Sequence, residues 1–316
     1  MPRALVTGGA GFIGSHLCDR LVEEGFDVIV VDDFSLGRRE NLAHLRDKIE
    51  IIEDSVLNLA AHRRTLQGVD RIYHLAALIS GYDSLHEPDA YLDINMKGIF
   101  RLVEIARDLG GPRLIFASSS TVYGNQPEPV YAESDPLNPP TVYALTKCSG
   151  EQALQLYAEM FDLDYVCLRL FNVYGPRQNP DHPYANVTCK FSQAAATDRQ
   201  IIRYGDGRQC RDFVHVRDVV DALMLVSESS EQPVYNVGTG QATSINNLIE
   251  VLENTGDAPF AIEQRPPWPN DIRTIRADTS RLADEFGFQP QVGLTEGLRE
   301  TVEYFRREVR HVTGSH

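Results

Sequence analysis

The sequence predicts an α/β fold, a doubly wound parallel sheet followed by a smaller C-terminal lobe. Three observations predict it. Strand and helix patterns alternate six times over the first 171 residues with short links, as in parallel strands joined by crossover helices. Several of the strands are continuous apolar runs, the mark of a sheet covered on both faces. After Asn172 the texture changes to loops and short elements, which marks the second lobe.

In chain order, residues 4–7 read as a buried strand ending at Gly8-Gly9. Residues 12–24 form a helix, with Phe12, Ile13, Leu17, Leu21 and Val22 at helical spacing and Gly25 as its stop. Strands follow at 27–31, 49–53 and 71–75. A long helix is expected over 89–108, ended by Gly110-Gly111-Pro112. Residues 114–118 are a fifth strand, 142–161 a helix and 165–170 a sixth strand. Loops are expected at 174–177 and at Asn179 to Pro183, the latter including His182. A helix is expected near 187–196, a turn at Gly205-Asp206-Gly207, and a Pro-rich loop at 265–269 that contains Trp268. Residues 234–237 (VYNV) read as a strand returning to the main sheet. The expected division is 1–171 for the first domain and 172–316 mainly for the lobe, with segments such as 211–240 returning to the sheet.

The bulk composition excludes several roles. Of 316 residues, 42% are hydrophobic and 24% charged, an ordinary globular balance. A formal net charge of -15 repels nucleic acid and anionic lipid, so neither is expected as a partner. An anionic substrate then needs a local cluster of Arg. Five cysteines, with no CxxC pair, argue against a disulfide framework or a zinc site. No metal is expected, because the nine histidines form no HxxxH or HExxH pattern. With no long apolar run and no signal-peptide pattern, the expectation is a cytoplasmic, soluble protein.

Gly8, Gly11 and Gly14 form a GxxGxxG turn between the first strand and first helix. Such a turn lets the backbone approach a pyrophosphate, and the helix N-terminus at Phe12 and Ile13 offers free N–H groups and a positive dipole end. Asp32 ends the second strand 18 residues past Gly14, where a carboxylate can accept from a ribose hydroxyl. This is a Rossmann dinucleotide site. Asp32 and Asp33 favour NAD over NADP, whose 2′-phosphate would meet negative charge. Arg38 and Arg39 read as solvated surface charges. Asp54, ending the third strand, either reaches the adenine or caps the strand.

Tyr143 and Lys147 form a YxxxK pair one turn apart on one helix face. An ammonium beside a phenol favours the phenolate, which makes Tyr143 a candidate general base with its pKa drawn toward neutrality. Ser118, Ser119, Ser120 and Thr121 lie at the C-terminal end of the fifth strand, the edge at which such sheets bind ligands.

Taken together, the sequence resembles the extended short-chain dehydrogenase/reductase family in its nucleotide-sugar epimerase and dehydratase branch. The resemblance spans nearly the whole chain. It is carried by TGGAGFIGSHL, VVDDFSLGRRENL, HLAA, SSSTVYG, YALTK, LRLFNVYGPRQ and GDGRQCRDFVHVRDV. It implies that Ser119, Tyr143 and Lys147 are catalytic, and that Leu75, Ala76, Asn95 and Phe171 contact the cofactor. It implies that Asn172 faces a sugar diphosphate that Arg211 and Arg273 grip, with Tyr204 along the base and Asp278 near the ribose. Bidentate Arg–phosphate contact has its own physical rationale.

The branch opens with oxidation at C4 to a 4-keto sugar. Its dehydratases and decarboxylases usually carry an acid immediately before VYG, two residues before the Tyr, and here that place is Thr121. Elimination needs an acid or base there, whereas epimerisation does not. The resemblance therefore implies an NAD-dependent nucleotide-sugar 4-epimerase, acting on UDP-glucose/UDP-galactose or N-acetyl analogues. The alternatives are a dehydratase or decarboxylase of the branch, and a non-catalytic NAD-sensing protein. Ile275 stands where such epimerases limit the C2 substituent. A homodimer through the helices at 89–108 and 142–161 is also implied.

Overall fold

The computed structural model describes residues 1–181, 185–228, 233–255, 259–267 and 272–313. His182, Pro183, Trp268 and Pro269 of the expected loops lie outside the described residues. The chain forms two compact units. One comprises Met1–Gly124, Glu133–Leu170 and Val220–Asn236, and the other Asn125–Ala132, Phe171–Val219 and Val237–His316.

The first unit is built on a seven-stranded sheet. Its strands are β1 (Arg3–Thr7), β2 (Asp27–Asp32), β3 (Ile49–Glu53), β4 (Arg71–His74), β5 (Arg113–Ser119), β6 (Tyr165–Leu170) and β7 (Val234–Val237). Their order is β7-β6-β5-β4-β1-β2-β3, and the paired registers from β3 to β6 are all parallel. This is the Rossmann order, with its switch point between β1 and β4. The VYNV segment joins the sheet at its edge, as β7. Leu5, Ile29, Ile72, Leu114 and Cys167 run through the core as fully buried strand residues.

Helix α1 (Phe12–Glu23) packs on β1 and β2. The helix expected over 89–108 is interrupted. A short turn at Pro88–Tyr91 leads into a π-helical segment at Leu92–Lys97, and only then into α2 (Gly98–Asp108). The added residue of a π turn re-aims one side chain out of helical register. Here Asn95 lies within it. Helix α3 (Val142–Phe161) has the predicted bounds, with Thr141 as N-cap accepting from the Ala144 N–H and Asp162 left-handed at φ 56°.

The second unit has its own apolar core of Phe191, Ile201, Phe213, Leu248, Leu252 and Leu298. Helices Val187–Ala196, Ile245–Asn254 and Leu294–Thr313 surround it, and its described strands form two-stranded pairs. Cys210–Arg211 pairs with Thr243–Ser244, and Phe213–His215 with Asn172–Tyr174. Within 211–240, therefore, the strand that joins the main sheet is Val234–Val237. The buried Asp212 carboxylate ties this unit together, accepting from the N–H groups of Thr239, Gly240 and Ala277 at 2.8–3.0 Å.

Candidate active site

The glycine turn sits where β1 and β4 diverge. Gly8 has φ +73°, and a Cβ there would lie 2.6 Å from the Ala76 nitrogen. Leu75 and Ala76 thus pass directly against the turn. A Cβ on Gly14 would meet the Gly8 carbonyl oxygen at 2.2 Å, so the helix can start this close to the strand only without a side chain. The Asp32 carboxylate closes the loop from the second strand, accepting from Ala10 N–H at 2.8 Å and Phe34 N–H at 2.9 Å. Burial raises its pKa and these two donors oppose the rise. Asp33 is exposed and accepts from Ser35. Arg39 pairs with Glu53 and lies over the Phe34 ring. Asp54 accepts from Ser55, Asn58 and His62, which is the strand-end cap arrangement.

Ser119 ends β5, and its hydroxyl is hydrogen-bonded to the Tyr143 phenol. The Ser119 oxygen also accepts from the Thr121 N–H at 3.2 Å and the Thr121 hydroxyl at 3.0 Å. Lys147 is one turn farther along α3 and donates to the Ala117 carbonyl at 2.7 Å. Its nitrogen is 6.0 Å from the centre of the Tyr143 ring.

The electrostatics differ from the sequence expectation. Burial pushes the Tyr143 phenol up to about 12, and the group that pulls it down is Ser119. Burial also lowers Lys147 to about 8, against the pull of Cys167 and Glu151. Burial holds the Cys167 thiol well above its ordinary range, so at neutral pH it carries no charge. In the protein alone, then, desolvation outweighs the ammonium and Tyr143 is a neutral phenol.

His74, at the end of β4, was not singled out by the sequence. Its Nδ1 is 2.7 Å from the Thr7 hydroxyl, and its ring stacks on Phe116, which also underlies Lys147. Burial, with Lys147 adding to it, lowers His74 to about 3. The folded protein therefore keeps His74 neutral while the unfolded chain takes up a proton below its ordinary 6.5. Stability is expected to fall as pH drops from 6.5 toward 3, by about 2 kcal/mol at pH 5 from this group. Urea unfolding of wild type and His74→Asn at pH 7 and pH 5 measures it. Equal acid losses in the two proteins would remove His74 as the cause.

Asn95 is turned inward. Its amide accepts from the Leu78 N–H at 2.8 Å and donates to the Leu78 carbonyl at 3.0 Å and the Thr146 hydroxyl at 3.1 Å. It clamps the chain after β4 to α3 beside Lys147. The remaining candidates lie in the second unit. Phe171 is buried and Asn172 is half-buried. Arg211 donates to the carbonyls of Cys210 and Ile272 at 2.8 and 2.7 Å. Arg273 pairs with the exposed Asp206, Tyr204 is bonded to Arg265, and Asp278 accepts from Ser280. Ile275 is buried.

A family model described as GDP-mannose 4,6 dehydratase matches residues 5–301 of this chain. The chain belongs to that family. Its members include nucleotide-sugar enzymes of the extended short-chain dehydrogenase/reductase type. A UDP-glucose 4-epimerase from Mycolicibacterium smegmatis is 40% identical, over 97% of this chain and 99% of its own length. A UDP-N-acetylglucosamine 4-epimerase from Methanobrevibacter ruminantium, solved with UDP-N-acetylmuramic acid, superposes with a TM-score of 0.93 at 36% identity, covering 97% of this chain and 99% of its own. A UDP-glucose 4-epimerase from Thermus thermophilus, solved with NAD, gives 0.88 at 33% identity over 96% and 99%. Against that family background, two further residues stand out. Glu151 lies one turn past Lys147, and Arg169 interrupts the otherwise apolar β6. The charge within a buried strand was the available signal.

Proposed function

We propose that this protein is an NAD-dependent nucleotide-sugar 4-epimerase, interconverting UDP-glucose and UDP-galactose or their N-acetyl analogues. The observation that carries the reading is the Ser119–Tyr143 hydrogen bond at the carboxyl edge of the sheet, with Lys147 one turn away. The full-length likeness to UDP-sugar 4-epimerases supports it. The glycine turn fits a pyrophosphate, since the absence of side chains at Gly8 and Gly14 lets the turn pack against Ala76 and brings the N-terminus of α1 close to β1, and the Asp32 oxygens retain lone pairs for a ribose. Gly8, Gly11, Phe12, Ile13 and Gly14 would hold the pyrophosphate, with Asp32 on the ribose and Leu75 and Ala76 beside the turn.

NAD would supply the acceptor for the hydride from C4 and the donor that restores it, and in its oxidised form a positive charge. Tyr143, as phenolate, takes the C4 hydroxyl proton, leaving a 4-keto sugar, and later gives that proton back. Ser119 donates to the phenolate oxygen, and Lys147 keeps positive charge near it. Thr121 has no carboxyl group, and its hydroxyl is bonded to Ser119. It offers no acid or base for elimination, which favours epimerisation over the dehydratase and decarboxylase reading. Arg211 and Arg273 grip the diphosphate, with Asn172, Tyr204 and Asp278 along the nucleotide. The Arg273–Asp206 pair is exposed and worth little, so a pyrophosphate can replace the carboxylate. Exposed Leu145, Leu156 and Met160 on α3 support a homodimer through that helix, and the free thiols support a reducing, cytoplasmic setting.

The test incubates the protein with NAD and a panel of UDP-, dTDP- and GDP-sugars, read by NMR and mass spectrometry. A C4-inverted product of unchanged mass with no net NADH is expected. Loss of water or carbon dioxide would replace the epimerase reading. Gly14→Ala is expected to weaken NAD binding about 10- to 100-fold, from about 1–3 kcal/mol of overpacking. Unchanged affinity by calorimetry would place the cofactor elsewhere.

A further inference from the structure

The first unit holds an ion pair whose side chains are nearly sealed from solvent. Arg169 on β6 and Glu151 on α3 are 5% and 7% exposed, with Nη2 and Oε2 2.7 Å apart and Nε bonded to both carboxylate oxygens. A buried pair of this kind is weak evidence for stability, because desolvation offsets its attraction. Its neighbours give it a different significance. The Ser118 hydroxyl donates to Glu151 Oε1, and Arg169 Nη1 donates to the Tyr123 hydroxyl at 3.0 Å. Tyr123 in turn donates to Asn236 at 2.6 Å. Ser118 and Tyr123 bracket the turn that presents Ser119. Glu151 itself is four residues past Lys147, on the same face of α3.

We propose that the Glu151–Arg169 pair is the positioning device of the catalytic set: its carboxylate is the counter-charge of Lys147, and through Ser118 and Tyr123 the pair holds both ends of the turn that carries Ser119. Both residues act through others and neither is a catalytic residue. The proposal rests on the catalytic reading of Ser119, Tyr143 and Lys147 above. The groups facing Lys147 leave Glu151 this role. Tyr143 on α3 is a neutral phenol, His74 on β4 is neutral, and Cys167 on β6 is a protonated thiol. Arg169, also on β6, is positive, and Glu151 holds it charged against burial. Cys167 and Glu151 draw the ionisation of Lys147 upward; Cys167 is an uncharged thiol at neutral pH, and Glu151 is the carboxyl group of the ion pair with Arg169.

The sequence contains four lysines, so NMR of lysine labelled at Cε can follow Lys147 directly, with Lys147→Met assigning its signal. Wild type is compared with Glu151→Gln, which keeps the shape and removes the charge. The double variant Glu151→Leu with Arg169→Met replaces the pair by apolar groups of similar size and guards against a fold lost to an unpaired charge. In folded Glu151→Gln, Lys147 is expected to titrate at lower pH than in wild type, while the double variant, which removes a cation and an anion together, tests the hold on the Ser119 turn through kcat. The kcat for epimerisation is expected to fall about 10- to 100-fold with little change in KM, because the reacting groups are displaced while the sugar is still bound. A merely structural pair would leave the Lys147 titration in place. An unmoved titration in folded Glu151→Gln, or a wild-type kcat in either folded variant, overturns the proposal. Absence of sugar conversion by wild type would instead sink the epimerase reading, while the lysine titration still decides the role of the pair.

Discussion

Replacing Tyr143 by Phe is expected to lower kcat by about 10²–10⁴-fold while leaving NAD and the nucleotide sugar bound. The substitution deletes one oxygen. That oxygen makes the hydrogen bond with Ser119, and the ring keeps its place on α3 next to Ala144, which is fully buried. The change therefore removes the proposed proton acceptor without disturbing the scaffold. Because burial pushes the phenol up to about 12, the protein alone has almost no phenolate at neutral pH. Cationic charge and the Ser119 donor must lower it within the complex, and the wild-type rate is expected to rise with pH through that lowered ionisation. Ser119→Ala is expected to move this limb to higher pH. The measurements are stopped-flow turnover and calorimetric affinity for NAD and UDP-sugar. If Tyr143→Phe turned over at more than a tenth of the wild-type rate, another group would be the base.

How much of this was legible in the sequence depended on how local the physics was. The glycine turn was legible because its demand is local: positive φ at Gly8 and no room for Cβ at Gly14. The bounds of α3 were legible because Thr141 caps one end and a left-handed Asp162 the other. The π segment at Leu92–Lys97 was not, since it is fixed by Asn95 reaching Leu78 and Thr146, and the latter is 51 positions away. The ionisation of Tyr143 was misread for a related reason. A YxxxK spacing shows a charge nearby but not the desolvation that opposes it. Glu151 and Arg169, 18 positions apart, meet only because α3 folds back over β6. The interleaving of the two units likewise depends on late segments such as Val220–Asn236 returning to the first.

The second large effect pairs a loss with a gain. Lys147→Met is expected to abolish most turnover, by about 10³-fold or more, because the phenolate loses its fixed positive neighbour. The same change is expected to stabilise the protein without ligands at pH 7. Burial lowers Lys147 from 10.5 to about 8, so the folded state bears an ionised group that it disfavours. The sign follows from proton counts. Below about pH 8 both states are protonated and the penalty is complete. Between about 8 and 10.5 the unfolded chain binds more protons, so stability rises with pH in that window. At pH 7 the penalty is about 3 kcal/mol. Methionine never carries it, but forfeits the hydrogen bond to Ala117, about 1 kcal/mol. The net gain is about 2 kcal/mol, and it should shrink as pH approaches 10.5. Denaturant unfolding of both proteins at pH 7 and pH 10 tests this. A variant less stable than wild type at pH 7 would mean that Lys147 is held there by structure. A more stable, inactive variant would mean that the fold bears a strained cation for the sake of the reaction.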